Sequence, residues 1–167
     1  MKPLEEATIG WAGQKPLPKH VVVRGGTLAE VCKFGYDLLQ AHAEEAEPGM
    51  ASKLAPDWPR YQELQEGGNL IILLAWHDHT LLGYAVAVVF PSAHYARTVI
   101  CQHDLLYVRP EWRSRGIGLR LIQRLRGEAK ARGATDLLMH AKPGSTLEAL
   151  LPRLGFKAEE TVWKEGL

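Results

Sequence analysis

The chemically distinctive part of this chain is an arginine- and glycine-rich loop, with the sequence LLYVRPEWRSRGIGL over residues 105–119. An apolar, strand-like run leads into the loop, and an amphipathic helical pattern follows it. The first amides of a helix have no partner within the helix and lie at the positive end of its dipole, so they bind anions. Gly116 and Gly118 let an anion approach the backbone, and Arg113 and Arg115 add charge-assisted hydrogen bonds. The segment therefore predicts a phosphate-binding site.

The spacing of the loop distinguishes it from two other phosphate-binding motifs. It is not GxxxxGK[ST], because no lysine and hydroxyl residue follow Gly118, and it is not GxGxxG. As Arg-x-x-Gly-x-Gly, residues 113–118 resemble the pyrophosphate loop of the GCN5-related N-acetyltransferases (GNAT). The resemblance covers residues 104–156, since Leu-Tyr-Val-x-Pro-Glu-x-Arg precedes the loop and a helix ending in Leu-Gly-Phe closes the stretch. A plain turn with a solvated rim is the alternative interpretation of the loop alone.

The resemblance implies an α/β fold with a central twisted mixed sheet and flanking helices. In this family the fourth and fifth strands are parallel and splay apart, and here they would be residues 98–108 and 135–140. Acetyl-coenzyme A (acetyl-CoA), the acyl donor, would enter that gap, with its pantetheine arm paired to the backbone around Tyr107 and Val108. Its pyrophosphate would lie on the amides of Arg113, Ser114, Arg115, Gly116, Ile117, Gly118 and Leu119.

The resemblance also implies transfer of an acetyl group to a primary amine of a small molecule or a protein. The backbone amide of Val108 would stabilise the oxyanion that forms from the thioester. Asp104 is the candidate base, because strand alternation places it on one face with Leu106 and Val108, while His103 points to the other face. The alternative for Asp104 is an ordinary carboxylate without a catalytic role.

The group that protonates the leaving thiolate is where the sequence departs from the family. The family often has a tyrosine at the position of Leu151, which Pro152 follows here, and a frequent asparagine falls on Gly144. Either the thiolate leaves unassisted or another group serves. His140 is the candidate acid, because it ends the predicted fifth strand beside the gap and imidazole titrates near neutral pH. A structural histidine at a strand end is the alternative.

The distribution of charge bears on the acceptor. Lys and Arg total 20 and Asp and Glu total 19, so the net charge of +1 argues against a general nucleic-acid binder. Residues 109–132 hold eight basic residues and two acidic ones, which suits a polyanionic donor. Residues 37–66 hold seven acidic residues and two basic ones, which favours a cationic amine. A solvated acidic helix face explains the second segment equally well.

Other residue classes set limits on function and compartment. His77, His79 and His103 have no carboxylate or cysteine at metal-ligand spacing, so no metal site is predicted. Cys32 and Cys101 are far apart and are expected as reduced thiols. With no apolar run long enough for a membrane and no signal-peptide pattern, we expect a cytoplasmic protein without a membrane partner. A homodimer is compatible with the sequence.

The hydrophobic pattern predicts the elements that position these residues. Thr27 and Glu30 have capping-box spacing at the start of a first helix that continues into the forties. The other predicted helices span residues 61–66, 117–132 and 146–154, and the predicted strands span residues 20–24, 70–76, 82–90, 98–108, 135–140 and 156–163. We expect an irregular arm at residues 1–18 and one acyl-CoA N-acyltransferase domain at residues 19–167. Two rival functions are a non-catalytic acyl-CoA sensing module and a nucleic-acid-modifying enzyme of the same superfamily.

Overall fold

The computed structural model describes residues 20–166, in which one five-stranded mixed sheet organises the chain. The expected arm at residues 1–18 lies outside the described residues. The strands lie side by side in chain order: β1 (Val21–Gly25), β2 (Leu70–His77), β3 (Thr80–Pro91), β4 (Val99–Val108) and β5 (Asp136–Leu138). Neighbours from β1 to β4 are antiparallel, and β4 and β5 are parallel. The predicted mixed α/β sheet is confirmed.

Helices cover both faces of the sheet. The helices α1 (Leu28–Phe34), α2 (Tyr36–Ala46) and α3 (Trp58–Glu66) pack with β2, β3 and β4 in one apolar cluster. The long helix α4 (Ile117–Ala131) packs against the opposite face, and the short helix α5 (Thr146–Leu150) follows β5. Because both faces are covered, β2 is a continuous apolar run and not an alternating one.

The predicted first helix is wrong in one respect, because Gly35 divides it into α1 and α2. The capping box of Thr27 and Glu30 is present at its start. At Gly35 the N–H still donates to the carbonyl of Val31, but a Cβ atom would lie 2.9 Å from that carbonyl oxygen. Glycine therefore permits this close approach, at which α1 ends and α2 begins. The helix α3 starts before the predicted residue 61, because Asp57 caps it.

The predicted C-terminal elements are shorter than expected. The last helix ends at Leu150, and a 3₁₀ turn over Pro152–Leu154 replaces its final turn, because proline has no N–H to continue the helix. Residues 156–166 form no strand in the described part of the chain, contrary to the prediction for 156–163. That segment lacks the alternating apolar side chains that would hold it to the sheet, and Trp163 is 90% exposed.

Gly83 sets how closely β3 approaches β4. A Cβ atom there would overlap the carbonyl oxygen of Tyr107 and lie 3.0 Å from Cα of Val108. We expect Gly83→Ala to lower the free energy of unfolding by about 2 kcal/mol, because backbone must shift to relieve the overlap. Gly127→Ala in α4 is the matched control: in the described part of the chain nothing lies within 4 Å of its Cβ, and the change should stabilise the protein by up to about 1 kcal/mol. Urea unfolding curves measure both, and equal stabilities would contradict the close approach.

Candidate active site

A gap opens between β4 and the edge strand β5 where their pairing ends. The two strands pair only from Ile100 opposite Asp136 to Gln102 opposite Leu138. Beyond this point β4 runs on to Val108, whereas β5 has ended. The predicted fifth strand over residues 135–140 is therefore too long, because the pairing that would define it stops where the strands diverge. Among residues 20–166, the second half of β4 has no strand neighbour on this side.

The backbone of β4 offers hydrogen-bonding groups to the gap. The N–H of Arg109 donates to the carbonyl of Leu82 at 2.9 Å, which makes these two residues a hydrogen-bonded pair between β3 and β4. Antiparallel pairs alternate between bonded and non-bonded. The N–H and carbonyl of Val108, opposite Gly83, therefore point away from β3, and those of Leu106 do so as well. An extended ligand in the gap can pair with these groups as an added strand.

A β-bulge in β4 changes which way its acidic residue faces. Val86 pairs with Leu105 and Ala87 pairs with His103, so Asp104 has no partner on β3. The predicted alternation of Asp104 with Leu106 and Val108 is therefore wrong. Leu106 and Val108 pack in the apolar cluster on the α4 face, whereas the exposed Asp104 accepts a hydrogen bond from α3.

The loop before α4 exposes the amides of the helix N-terminus. Ser114 and Gly116 both have left-handed backbone conformations, with φ of 59° and 78°. Gly116 is the N-cap of α4 and provides no side-chain cap. The first hydrogen bond within the helix runs from the N–H of Arg120 to the carbonyl of Gly116. The amides of the first turn, at residues 117–119, are consequently available to an anion.

Gly118 provides open space beside these amides. Among the described residues, a Cβ atom at Gly118 would meet only Cγ2 of Val108, at a distance of 4.0 Å. Packing within the described chain therefore does not require a glycine here. The missing side chain instead leaves a cradle next to the end of β4, as the approach of a pyrophosphate to the backbone requires.

Two arginines line this cradle in different ways. The Nε of Arg113 donates to the carbonyl of Val108 at 2.8 Å, and its Nη2 donates to Glu45 of α2 at 2.6 Å. This carboxylate raises the pKa of Arg113, so the side chain is a permanent cation. The guanidinium of Arg115 lies over the ring of Trp112, and its buried Nε has no partner among the described residues. An anionic ligand would supply that partner.

The opposite wall of the gap comes from α2 and α3. The hydroxyl of Tyr61 donates to Oδ2 of Asp104 at 2.7 Å, which ties α3 to the bulge of β4. His42 of α2 stacks on the ring of Tyr107, with ring centroids 5.0 Å apart, and its Nδ1 lies 2.8 Å from the hydroxyl of Tyr84. Burial is the largest cause of the lowered pKa of His42. The wall thus presents a neutral imidazole and an oriented carboxylate.

An ion pair and a hydrogen bond also fix α2 to the strands and loops around the gap. Arg109 at the end of β4 pairs with Asp37 at 2.5 Å. Lys142, beyond β5, donates to the carbonyl of Ala46 at the last turn of α2. The cationic loop and the acidic helix are therefore in direct contact, although the sequence alone placed them in separate regions.

His103 is buried at the closed end of the gap. Its side chain is 6% exposed, and neither ring nitrogen has a hydrogen-bond partner among the described residues. Burial, followed by the nearby His140, lowers the pKa of His103 to about 4, although Asp104 acts in the opposite sense. The imidazole is therefore neutral at pH 7.

This burial predicts a specific loss of stability in acid. Between pH 6.5 and 4 the imidazole of residue 103 binds a proton in the unfolded chain but not in the folded protein, so stability falls as the pH falls. The contribution reaches about 3 kcal/mol near pH 4. His103→Leu should therefore lose less stability than wild type between pH 7 and 4 in urea unfolding. Parallel pH profiles for the two proteins would show that the imidazole is not buried in this way.

The two residues considered for thiolate protonation lie in different environments. Leu151, at the position of the family tyrosine, is buried and has no ionisable group. His140 is exposed and lies two residues beyond the end of β5, not within the strand as predicted. Within residues 20–166 no group of three or more His, Cys, Asp or Glu side chains is arranged to hold a metal ion.

Comparison with known proteins identifies this architecture. A sequence model of the Acetyltransferase (GNAT) family matches residues 36–156. The chain belongs to the GNAT acetyltransferase family. It is an acetyl-CoA-dependent N-acetyltransferase, with acetyl-CoA as the acyl donor. The family therefore favours an enzyme over the alternative hypothesis of a non-catalytic sensing module. No curated protein sequence matches the chain.

Solved structures share the fold of this GNAT enzyme. An aminoglycoside acetyltransferase from an uncultured soil metagenomic sample is 23% identical, with a TM-score of 0.71 over 88% of this chain and 98% of that chain. A ribosomal-protein-alanine N-acetyltransferase from Brucella melitensis biovar Abortus 2308 is 21% identical, with a TM-score of 0.67 over 88% and 99% of the two chains. AAC(6')-Iy bound to a CoA bisubstrate analogue is 17% identical, with a TM-score of 0.65 over 89% and 99%.

No helix within residues 20–166 of this GNAT enzyme is long and apolar enough to cross a membrane.

Several residues at the gap were not singled out from the sequence. Tyr61 lies 43 positions before Asp104 and no local pattern connects them. His42 does leave a signal, since it follows the buried Leu38 and Leu39 at helical spacing and thus lies on the inner face of α2.

Proposed function

We propose that this enzyme transfers the acetyl group of acetyl-CoA to a primary amine of a cationic acceptor, either a small molecule or an exposed amine of a protein. The observation that carries this proposal is the exposed carboxylate of Asp104, which the hydroxyl of Tyr61 holds at the edge of the gap. A carboxylate in this place, four residues before the end of β4, attracts an ammonium group. On α2, Asp37 and Glu45 are already paired with Arg109 and Arg113, so the attraction of an ammonium group rests on Asp104.

The donor would bind along β4 and across the loop. Its pantetheine arm would pair with the gap-facing groups of Val108 and Leu106, with the ring of Tyr107 nearby. Its pyrophosphate would accept hydrogen bonds from the amides of residues 114–119, and Arg115 would supply charge. The predicted contribution of the Arg113 amide is wrong, because that N–H donates to the carbonyl of Pro110. Arg113 has to leave the carbonyl of Val108 for this pairing, and its guanidinium can reach the phosphates once it has also left Glu45.

The reaction requires a neutral amine, because an ammonium has no lone pair to attack the thioester carbon. The C–N bond forms as the carbonyl oxygen gains negative charge, and the N–H of Val108 stabilises that oxyanion. Asp104 accepts the proton that the amine nitrogen loses, directly or through one water. The C–S bond then breaks, and the coenzyme leaves as a thiolate to which His140 gives a proton.

A thiol-release screen tests the proposed function. Wild-type enzyme is mixed with acetyl-CoA and a panel of amines that differ in charge, including polyamines, aminoglycosides, and peptides with lysine or a free N-terminus. We expect free thiol and acetylated product in equal amounts, with the highest kcat/KM for polycationic acceptors. Equal rates for neutral and polycationic amines would contradict the proposed acceptor class. A nucleic-acid acceptor has little support from the near-zero net charge, and salt-dependent gel shifts test it.

Gly118→Asp should weaken donor binding without unfolding the enzyme. The new carboxylate would occupy the cradle and repel the pyrophosphate, so we expect acetyl-CoA affinity to fall at least about tenfold, or 1.4 kcal/mol. Gly127→Asp is the matched control, because it puts the same charge on α4 at a position whose Cβ has no atom of residues 20–166 within 4 Å. Titration calorimetry measures both. Unchanged affinity in a folded Gly118→Asp protein would remove this loop from the donor site.

A further inference from the structure

The guanidinium of Arg113 holds two groups of the protein with one of its edges. Its Nε donates to the carbonyl of Val108 at 2.8 Å, and its Nη2 donates to Oε2 of Glu45 at 2.6 Å. The N–H bonds of Nε and Nη2 are parallel and form the fork with which arginine binds a carboxylate or a phosphate through two hydrogen bonds. In the structure this fork is therefore occupied by a β4 carbonyl and an α2 carboxylate.

Both hydrogen bonds have to break when acetyl-CoA binds as proposed. The pantetheine arm needs the carbonyl of Val108, and a phosphate of the donor offers two oxygens that match the fork of Arg113. The carbonyl then has a new partner in the donor. The carboxylate of Glu45 gains no such partner, because acetyl-CoA carries no cationic group that could replace the guanidinium.

Glu45 lies on the wall of the gap that faces the acceptor. It follows His42 by three positions in α2, and residues at this spacing share one helix face. His42 stacks on the ring of Tyr107, and Cζ of Arg113 lies 5.3 Å from the centroid of the same ring. Half of the Glu45 side chain is exposed, so a molecule in solution can reach its carboxylate once the guanidinium has left.

We propose that Glu45 binds a second ammonium group of the acceptor, and that the carboxylate becomes available when acetyl-CoA draws Arg113 to its phosphates. The inference rests on the proposed function of this site. It gives the two carboxylates different roles, because Asp104 meets the amine that is acetylated and Glu45 holds an ammonium group that is not. The preferred acceptor is therefore a diamine or a polyamine.

Competition for Glu45 makes donor and acceptor bind cooperatively. In the free enzyme an ammonium group has to displace a guanidinium that is also bonded to Val108, whereas in the donor complex it meets an unpaired carboxylate. The acceptor must then strengthen donor binding by the same factor as the donor strengthens acceptor binding. Because half-exposed ion pairs contribute modestly, we expect this factor to be about three to five.

Titration calorimetry with Glu45→Gln tests this proposal. Putrescine, with two amines, and butylamine, with one, are titrated into the free enzyme and into its complex with a non-hydrolysable acetyl-CoA analogue. In wild type the analogue should tighten putrescine binding about three- to fivefold more than butylamine binding, and Glu45→Gln should lose this difference. Glu44→Gln is the matched control, because it removes the same charge from the next residue, whose carboxylate is bonded to Gln40 and not to an arginine.

The affinity for the donor gives a second test that needs no acceptor. Without the carboxylate of Glu45 the fork of Arg113 is held less firmly, so Glu45→Gln should bind the analogue about two- to threefold more tightly than wild type and Glu44→Gln should not. Unchanged or weaker donor binding in Glu45→Gln overturns the proposal, and so do equal effects of the analogue on the two amines in wild type. If wild-type enzyme acetylates no amine in the thiol-release screen, the proposed function fails, whereas these titrations still decide the role of Glu45.

Discussion

His140→Ala is expected to lower turnover by about 10²-fold or more, while acetyl-CoA binding remains as in wild type. The reason is the leaving group, because an unprotonated thiolate adds back to the carbonyl carbon more readily. Leu151 offers no proton where the family often has a tyrosine. Because His140 is exposed beyond the end of β5, its removal should not disturb the core. Steady-state kinetics with calorimetric donor titration separates the two effects.

The leaving group provides the control for this prediction. An acetyl donor with an acidic thiol, such as an aryl thioester, needs no proton as its C–S bond breaks. The loss in His140→Ala should therefore be much smaller with that donor than with acetyl-CoA. Near-wild-type turnover of acetyl-CoA would remove His140 from the mechanism.

Asp104→Asn should also lower turnover by about 10²-fold if the carboxylate takes the amine proton. The loss should shrink as the pH rises, because more of the acceptor is then already neutral. If Asp104 instead anchors a cationic acceptor, the variant mainly raises the acceptor's KM at every pH where the amine is charged. Initial rates across a range of pH and acceptor concentration distinguish the two roles.

Tyr61→Phe is the companion variant, because it removes only the hydroxyl that holds Oδ2 of Asp104. We expect a smaller change of the same kind, since the carboxylate remains but is less well oriented. Glu159→Gln removes an exposed carboxylate of the C-terminal segment and should change nothing. If Asp104→Asn leaves kcat and KM of the best acceptor unchanged, the proton leaves by another path.

The geometry of the loop before α4 could be predicted from the sequence because its signals are local. The loop over residues 113–118 combines a strand end, glycines and a helix start within a few positions, and local backbone preferences determine that geometry. The hydrophobic pattern likewise predicted the central strands and α4. Predictions were less accurate where a single residue decides, as at Gly35, which divides the first helix, and Pro152, which ends the last one.

The arrangement of α2 and α3 beside β4 could not be predicted in the same way, because it depends on long-range contacts. The bulge in β4 adds one residue and reverses the face on which Asp104 lies, and no residue type marks that position. The hydrogen bond from Tyr61 and the ion pair of Arg113 with Glu45 join segments that are far apart in the chain. For His103 the sequence predicted only the face of β4 to which its side chain points. The burial of its ring without a hydrogen-bond partner depends on the folded protein.

The claim that acetyl transfer takes place in the gap between β4 and β5 is tested most directly by a crystal structure with a non-hydrolysable acetyl-CoA analogue. We expect the pantetheine arm to pair with the backbone of Val108 and Leu106, the pyrophosphate to contact the amides of residues 114–119, and Arg113 to have left the carbonyl of Val108. The acyl carbonyl should point to the N–H of Val108, with Asp104 on the acceptor side. An analogue bound elsewhere would contradict this assignment. So would a complex in which Arg113 still donates to the carbonyl of Val108.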